Sequence, residues 1–254
     1  MKKVWLSWSS GKDSAWTLHR LREQGKWKVC GLFTTLNENF DRVAMHAVRR
    51  VLLEAQAEAA GLPLRIIPLP WPCSNADYER MMAKIWVEAV QNGVEAIAFG
   101  DLFLEDVRQY RLNQLQDTGL EAIFPLWHRP TGALALQMIN SGLQAKLTCI
   151  DPKQLSGAFA GRDFGPQLLK DLPPDVDPCG ENGEFHSFVY AGPMFQYPLE
   201  ISVGEITQVG ALSLRMFSAG IIHRFSLRSD ESADLSALRH ARREATANVL
   251  PAVR

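Results

Sequence analysis

The sequence lacks the features that mark several common classes of protein. It has 27 basic and 28 acidic residues and a net charge of −1, so no excess of positive charge favours binding to nucleic acid. Its apolar runs are too short and too interrupted by polar residues for a signal peptide or a membrane span. We therefore expect a cytoplasmic protein that binds neither nucleic acid nor a membrane.

The sequence also lacks the cysteine and histidine spacings of common metal centres. Its four cysteines contain no C-x-x-C pair, and its six histidines contain no H-E-x-x-H motif. We therefore expect neither a disulfide framework nor a structural zinc site nor an iron-sulfur cluster.

Strand and helix patterns alternate along the first 113 residues. Apolar strands are predicted at 2–8, 27–36, 63–70 and 94–101, and helices at 12–25, 41–61 and 75–91. This alternation is typical of an α/β fold with a doubly wound, mostly parallel sheet. Ligands bind at the carboxyl ends of the strands in such sheets, so we expect the functional residues there.

The alternation loosens from about Gln114. A short strand is predicted at 122–127, then a helix capped by Thr131, a strand at 143–150, and a strand at 185–190 that follows a polar loop. We predict one domain over 1–113 and a smaller α+β domain over 114–230. The tail, 231–254, is either helical or disordered, and we assign no function to it.

The segment Ser9-Ser10-Gly11-Lys12-Asp13-Ser14 joins the first predicted strand to the first helix. A glycine-containing turn at a helix N-terminus exposes backbone N–H groups and the positive end of the helix dipole, which together favour a phosphate. The Walker A motif is excluded, because its glycine and its hydroxyl would fall on Leu6 and Asp13. A helix cap alone would account for only one of the six residues.

This segment resembles the S-G-G-x-D-S signature of the PP-loop ATP pyrophosphatases, with Ser10 in place of a glycine. The blocks FGD, FPLWHR, LQAKLTCID and CGENGEF are similar to the diphthine-ammonia ligase family and its bacterial relatives, over about residues 4–195. Two departures are Asn182 within the family's E-G-G-E motif and Asn113 at an expected glutamate.

The resemblance implies a HUP-like fold and an enzyme that uses ATP and Mg²⁺ to form an amide. Such an enzyme adenylates a carboxylate, releases pyrophosphate and transfers ammonia to the activated acid. In eukaryotic and archaeal members the carboxylate belongs to diphthine on a translation elongation factor. For this chain we expect a small-molecule acid or a protein side chain, with ammonium as the second substrate, and a homodimer is possible.

The resemblance implies that 1–113 is the ATP-binding domain and 114–230 the substrate-binding domain, and it also assigns residues to ATP. Lys12, expected to be exposed in the ligand-free protein, would offset charge on the departing pyrophosphate, and Asp13 would help to hold Mg²⁺. Lys12, Asp13 and Arg111 form the predicted catalytic group. The predicted nucleotide-binding group is Ser9, Ser10, Gly11, Lys12, Asp13, Ser14, Thr34, Gly100 and Asp101. A helix-capping role remains the alternative for Asp101.

A further group is assigned to the substrates. Arg108 and Arg111 lie on one helix face at a spacing that can hold a phosphate or a carboxylate, and a solvated basic face is the alternative. Glu181 and Glu184 are expected to point into one cleft and to bind ammonium or a cationic substrate. The predicted substrate-binding residues are His46, Arg108, Trp127, Arg129, Glu181, Asn182, Gly183 and Glu184.

Two other functions remain open at this stage. One is an RNA-modifying enzyme of the same ATP-binding class, which would need sulfur-handling cysteines and a basic face. The other is a nucleotide sensor without catalytic activity, which would bind ATP and form no AMP.

Overall fold

The computed structural model describes residues 1–38, 42–43, 48–209 and 212–219, which form two β-sheets with helices. His46 and the predicted tail at 231–254 lie outside the described residues.

The first sheet has six strands in the order β3-β2-β1-β5-β6, and β4 also pairs with β2. Its strands are β1 (Lys2–Ser7), β2 (Trp27–Asn37), β3 (Arg42–Val43), β4 (Leu64–Leu69), β5 (Ala96–Ala98) and β6 (Glu121–Ile123). Strand β3 pairs antiparallel with the end of β2, and the other pairings are parallel. From β1 the chain runs outward on one side to β4 and then on the other side to β6. The predicted doubly wound, mostly parallel sheet is therefore confirmed, and its switch point lies between β1 and β5.

Helices cover both faces of this sheet, because successive side chains of a strand point to opposite faces. Val4 and Leu6 of β1 belong to one core, together with residues of α1 (Lys12–Gln24) and α2 (Arg50–Ala60). Trp5 belongs to a second core, together with residues of α3 (Asn75–Gln91) and α4 (Glu105–Leu115). The strand ends at the switch point are thus held between two packed layers.

Local signals predict most helix ends correctly. Helix α3 has the predicted bounds, and the Ser74 side chain accepts a hydrogen bond from the Asp77 N–H group as its cap. Helices α1 and α2 both end before a glycine in the left-handed conformation, Gly25 and Gly61. The predicted start of α2 at residue 41 is wrong, because residues 42–43 pair with β2 as β3 and the helix begins at Arg50.

The second sheet is antiparallel, in the order β8-β7-β10-β9. It consists of β7 (Gln144–Ile150), β8 (Phe185–Ala191), β9 (Ile201–Val209) and β10 (Leu212–Ala219), accompanied by α5 (Thr131–Asn140) and α6 (Pro166–Asp171). The expected small α+β unit is therefore present. Strand β6 follows residue 113 but extends the first sheet by pairing with β5. The predicted cap of α5 is wrong by one residue, because Thr131 is the first residue of the helix and Pro130 occupies the cap position.

The lengths and the apolar character of the described helices bear on whether any of them could span a membrane. None of them combines the length and the apolar character that a membrane span requires.

Candidate active site

A cleft lies at the switch point, where the carboxyl ends of β1 and β5 meet. We call it the switch-point cleft. Its walls come from the loop after β1, the ends of β2 and β5, helices α3 and α4, the loop before β8, and the first residues of β8. Among the residues predicted from the sequence, the cleft is lined by Ser9, Gly11, Lys12, Asp13, Ser14, Thr34, Gly100, Asp101, Arg111, Glu181 and Gly183.

The loop after β1 reaches the cleft by a turn that is unusual for a serine. Ser10 has a φ of 70°, in the left-handed region that glycine adopts most easily. Its carbonyl oxygen accepts hydrogen bonds from the Val189 N–H group at 3.1 Å and the Gln56 side-chain amide at 3.0 Å. The Ser10 side chain is fully buried, and Ser10 is absent from the residues lining the described cleft. In this structure Ser10 therefore shapes the turn, and its place in the predicted nucleotide-binding group stays a prediction.

The end of β5 lies directly against the start of α1. A Cβ atom added to Gly100 would lie 3.0 Å from the Asp13 carbonyl carbon and 3.1 Å from the Ser14 nitrogen, which is closer than ordinary packing allows. The backbone at Gly100 therefore closely approaches the start of α1. This approach brings Asp101 to the same cleft as the loop after β1.

Lys12 is buried, which contradicts the expected exposure. Its side chain is 3% exposed, and its Nζ atom lies 2.8 Å from Asp13 Oδ2. The rings of Phe164 and Phe185 cover the ammonium group, at 5.8 and 5.5 Å from their centroids. Burial lowers the pKa of Lys12, but the charge and the hydrogen bond of Asp13, together with the charges of Cys179 and Glu181, outweigh this effect, so the pKa lies above its ordinary value. The cleft therefore holds a fixed positive charge at the N-terminus of α1.

Acidic groups lie close to this lysine. Glu181 Oε1 accepts a hydrogen bond from the Leu102 N–H group at 2.8 Å. Burial, followed by the charge of Asp13, raises the pKa of Glu181 to about 8. Burial also raises the pKa of Asp101, against the opposing effect of Arg111. Three carboxyl groups thus share the switch-point cleft with two cationic side chains, an arrangement that favours an added cation.

The two arginines of α4 have different environments. The Arg111 guanidinium lies over the ring of Phe99 at 5.0 Å, and its Nε atom is 3.8 Å from Asp101 Oδ2. The Arg108 guanidinium instead lies over the rings of Phe124 and Trp127, at 5.4 and 5.1 Å. Arg111 therefore lines the cleft, whereas Arg108 is stacked on an aromatic pair beside it.

Several other predicted substrate residues do not reach the cleft. Within the described part of the chain, Arg108, Trp127, Arg129, Asn182 and Glu184 are absent from its lining. Trp127 and Arg129 are half-buried, and Asn182 is exposed.

The expectation that Glu181 and Glu184 point into one cleft is wrong for Glu184. Glu184 is 2% exposed, and its Oε1 atom accepts hydrogen bonds from the Asp177 N–H group at 2.9 Å and the Asn182 side-chain amide at 3.1 Å. It therefore braces the loop from inside. Gly180 and Gly183, with φ values of 67° and 85°, make the turns that direct Glu181 to the cleft.

Sequence reasoning missed several residues that line the cleft or support it, four of which bear on its chemistry. Tyr78, His186 and Ser187 line the cleft, and the buried Gln56 holds the turn at Ser10. Burial, with a smaller effect of the Lys12 charge, lowers the pKa of His186 to about 4, so the imidazole is neutral. His186 and Ser187 directly follow the polar loop in the sequence, which was the one signal available for them.

Comparison with known proteins gives matches to two family models and similarity to two relatives. The family model of the diphthamide synthase N-terminal domain matches residues 1–121, and that of the C-terminal domain matches residues 131–215. A diphthine–ammonia ligase from Bos taurus is 25% identical over 221 residues, covering 78% of this chain and 82% of the relative. One from Rattus norvegicus is 24% identical over 220 residues, with the same coverage. The residues that line the switch-point cleft all fall within the two matched segments.

Proposed function

Because the chain belongs to the diphthamide synthase family, we propose that it is an ATP-dependent carboxylate–ammonia ligase of the PP-loop type. The relatives' names, which pair diphthine with ammonia, support the ammonia-ligase activity. The proposed substrates are a carboxylate, ATP and ammonium, and the products are an amide, AMP and pyrophosphate.

The chemistry explains why ATP is needed. A carboxylate does not react with ammonia, because the oxygen that must leave is a poor leaving group. A carboxylate oxygen therefore attacks the α-phosphorus of ATP, and pyrophosphate leaves. Ammonia then attacks the carbonyl carbon of the acyl adenylate, and AMP leaves with the carboxylate oxygen.

The proposed site for the triphosphate is the N-terminus of α1. Ser9, Gly11 and Ser14 of the turn line the cleft there, at the positive end of the helix dipole. Lys12 supplies a positive charge that is fixed by Asp13 and by the aromatic rings over it. Removing one such preorganised electrostatic contact typically costs about 2.7–4 kcal/mol in the transition state.

Mg²⁺ fits the acidic side of the cleft. Asp13 Oδ1 and Asp101 Oδ2 are buried, and neither has a hydrogen-bond partner among the residues that the structure describes. Mg²⁺ is usually held by one or two carboxylates together with substrate phosphates, and Asp13 and Asp101 would supply those carboxylates. When bound, the ion would neutralise phosphate charge and so offset the repulsion between ATP and the acidic groups.

Glu181 is the proposed site for ammonium. A carboxylate about 4 Å from an ammonium ion gains up to about 4 kcal/mol at an effective dielectric constant of 20, before desolvation is subtracted. Ammonium must lose a proton before its nitrogen can attack. A carboxylate whose pKa is raised to about 8 is suited to accept that proton near neutral pH.

The acceptor acid is assigned to the side of the cleft formed by α4. Arg111 can pair with a carboxylate from within the cleft, and Arg108 lies one helical turn away on the aromatic pair of Phe124 and Trp127. Stacking on these rings orients the Arg108 guanidinium, and its Nη1 atom lies 3.7 Å from Glu105 Oε2, which an anionic substrate group would have to displace.

One observation carries the proposal. The buried Lys12 forms an ion pair with Asp13 at the N-terminus of α1, at a cleft that Asp101 and Glu181 also line. A screen tests it by mixing the protein with Mg²⁺, ATP, ammonium and a panel of acids, diphthine included, and measuring pyrophosphate. Pyrophosphate release that requires one of the acids supports a ligase. Release of phosphate and ADP contradicts the proposal, and ATP binding with no turnover on any acid favours a nucleotide sensor.

A further inference from the structure

Strand β8 of the second sheet runs beside the loop that we assign to phosphate binding. The Val189 N–H group donates to the Ser10 carbonyl oxygen at 3.1 Å, and the Lys12 N–H group donates to Ser187 Oγ at 3.1 Å. The two sheets are therefore joined by hydrogen bonds at the N-terminus of α1.

The Ser187 side chain caps the N-terminus of α1, although Ser187 is distant from this helix in the sequence. Gly11, at the cap position of α1, has no side chain with which to bind the first N–H groups of the helix. Its Cβ position would lie 3.3 Å from the Ser187 carbonyl oxygen and 3.6 Å from Ser187 Oγ. The absence of a side chain at Gly11 thus leaves room for the Ser187 hydroxyl over the end of the helix.

The Ser187 hydroxyl has a hydrogen atom to donate. Ser187 is 3% exposed and lines the switch-point cleft. Its oxygen accepts from the Lys12 N–H group, and within the described part of the chain no hydrogen bond uses its proton. A hydroxyl that accepts a hydrogen bond becomes a stronger donor, and an anion at the helix N-terminus is a suitable acceptor.

We propose that Ser187 is a phosphate-binding residue of the ATP site, contributed by the second sheet. The assignment rests on the proposed function, because the ligand is the triphosphate of ATP. The loop before β8 and the start of β8 then line both parts of the cleft, with Glu181 at the ammonium site and Ser187 at the phosphate site.

Gln56 fixes the position of β8 in this arrangement. Its side-chain amide donates to the Ser10 carbonyl oxygen at 3.0 Å and the Val189 carbonyl oxygen at 2.6 Å. Its Oε1 atom accepts from Trp8 Nε1 at 2.9 Å. Because all of these groups are buried, the amide holds the phosphate loop and β8 at a fixed separation.

The test is nucleotide binding by calorimetry, with no acid or ammonium present. The Ser187→Ala variant should bind ATP at least about tenfold more weakly than the wild type, because it loses a hydrogen bond to a charged phosphate. The affinity of the variant for adenosine, measured by competition, should equal that of the wild type, because adenosine has no phosphate for Ser187 to bind. Ser187→Cys, which keeps a side chain of similar size but is a poor donor, should show the same selective loss if Ser187→Ala does not fold.

Thr148→Val is the matched control. Thr148 lies on the neighbouring strand β7, is 2% exposed, and its hydroxyl has no partner among the described residues. This variant should bind both nucleotides as the wild type does.

Two results would overturn the inference. Equal losses for ATP and adenosine in the Ser187 variants would mean that Ser187 only shapes the site, and unchanged ATP affinity would mean that it does not contact the phosphates. If the wild type forms AMP while Ser187→Ala binds ATP normally, the inference alone fails. If the wild type does not bind ATP with Mg²⁺, the proposed function fails with it.

Discussion

Replacing Glu181 by glutamine should stabilise the protein increasingly as the pH rises from about 4.5 to about 8. The pKa of Glu181 is about 8 in the folded protein, compared with 4.5 for an ordinary glutamate, because burial and the charge of Asp13 disfavour the carboxylate. Between these pH values the folded state holds a proton that the unfolded state has lost. The free energy of unfolding of the wild type therefore falls as the pH rises through this interval, and it levels off above about 8.

The size of the effect follows from the same interval. The free energy of unfolding of the wild type falls by at most about 1.36 kcal/mol per pH unit between pH 4.5 and about 8. The upper limit of the stabilisation by Glu181→Gln is therefore about 5 kcal/mol. Movement of the loop toward water will reduce this value. Glutamine keeps an oxygen that can accept from the Leu102 N–H group, so the substitution removes the ionisation without removing that hydrogen bond.

Urea unfolding at intervals from pH 5 to pH 9 measures the effect for the wild type and Glu181→Gln. Lys12, Asp13 and Asp101 titrate beside Glu181 in both proteins, so the comparison isolates Glu181 to a first approximation. Glu121→Gln, on β6, replaces a carboxylate whose side chain is 46% exposed and should differ from the wild type by the same small amount at every pH. A Glu181→Gln difference that is independent of pH, or that falls as the pH rises, would refute the reasoning.

Three further predictions concern the cleft. Lys12→Met should lower the rate of AMP formation by about 10²–10³-fold and destabilise the fold by about 1–3 kcal/mol, because it leaves the Asp13 carboxylate, whose side chain is 26% exposed, without its partner. Adding Asp13→Asn should recover stability, measured by urea unfolding, but not activity. Glu181→Gln should raise the ammonium concentration that half-saturates AMP formation, whereas Glu184→Gln should not, because Glu184 braces the loop. Gly100→Ala should destabilise the protein by about 1–3 kcal/mol in thermal unfolding, because its Cβ would meet the backbone at Asp13.

Each of these predictions has an outcome that contradicts it. A fully stable Lys12→Met variant would mean that the ion pair is not formed. Equal ammonium dependence in the two glutamate variants would remove Glu181 from the ammonium site. Gly132→Ala, at a helical position with open space around it, is the control for Gly100→Ala and should not destabilise the protein.

The fold was largely predictable because its signals are local. Helix α3 has its cap at Ser74 and its periodicity within one short segment, so the sequence alone predicts both of its ends. Strand β3 has only two residues and no periodicity that could reveal it. Strand β6 was predicted as a strand, but its membership of the first sheet depends on pairing with β5, which no local pattern encodes.

The site was predictable in its residue types and less so in its geometry. The loop motif identifies Lys12, but its burial depends on Phe164 and Phe185, which are distant in sequence. Glu181 and Glu184 have the same chemistry in the sequence, and only hydrogen bonds within the folded loop separate their roles. Ser187 has no motif of its own and reaches the phosphate loop only through the contact between the two sheets.

The central claim is that ATP activates a carboxylate by adenylation, and an isotope experiment tests it most directly. The acid that supports pyrophosphate release is labelled with ¹⁸O in its carboxylate and incubated with the protein, Mg²⁺, ATP and ammonium. Adenylation predicts that each AMP molecule carries one labelled oxygen and that pyrophosphate carries none. Labelled phosphate together with ADP, or AMP without label, would contradict the claim.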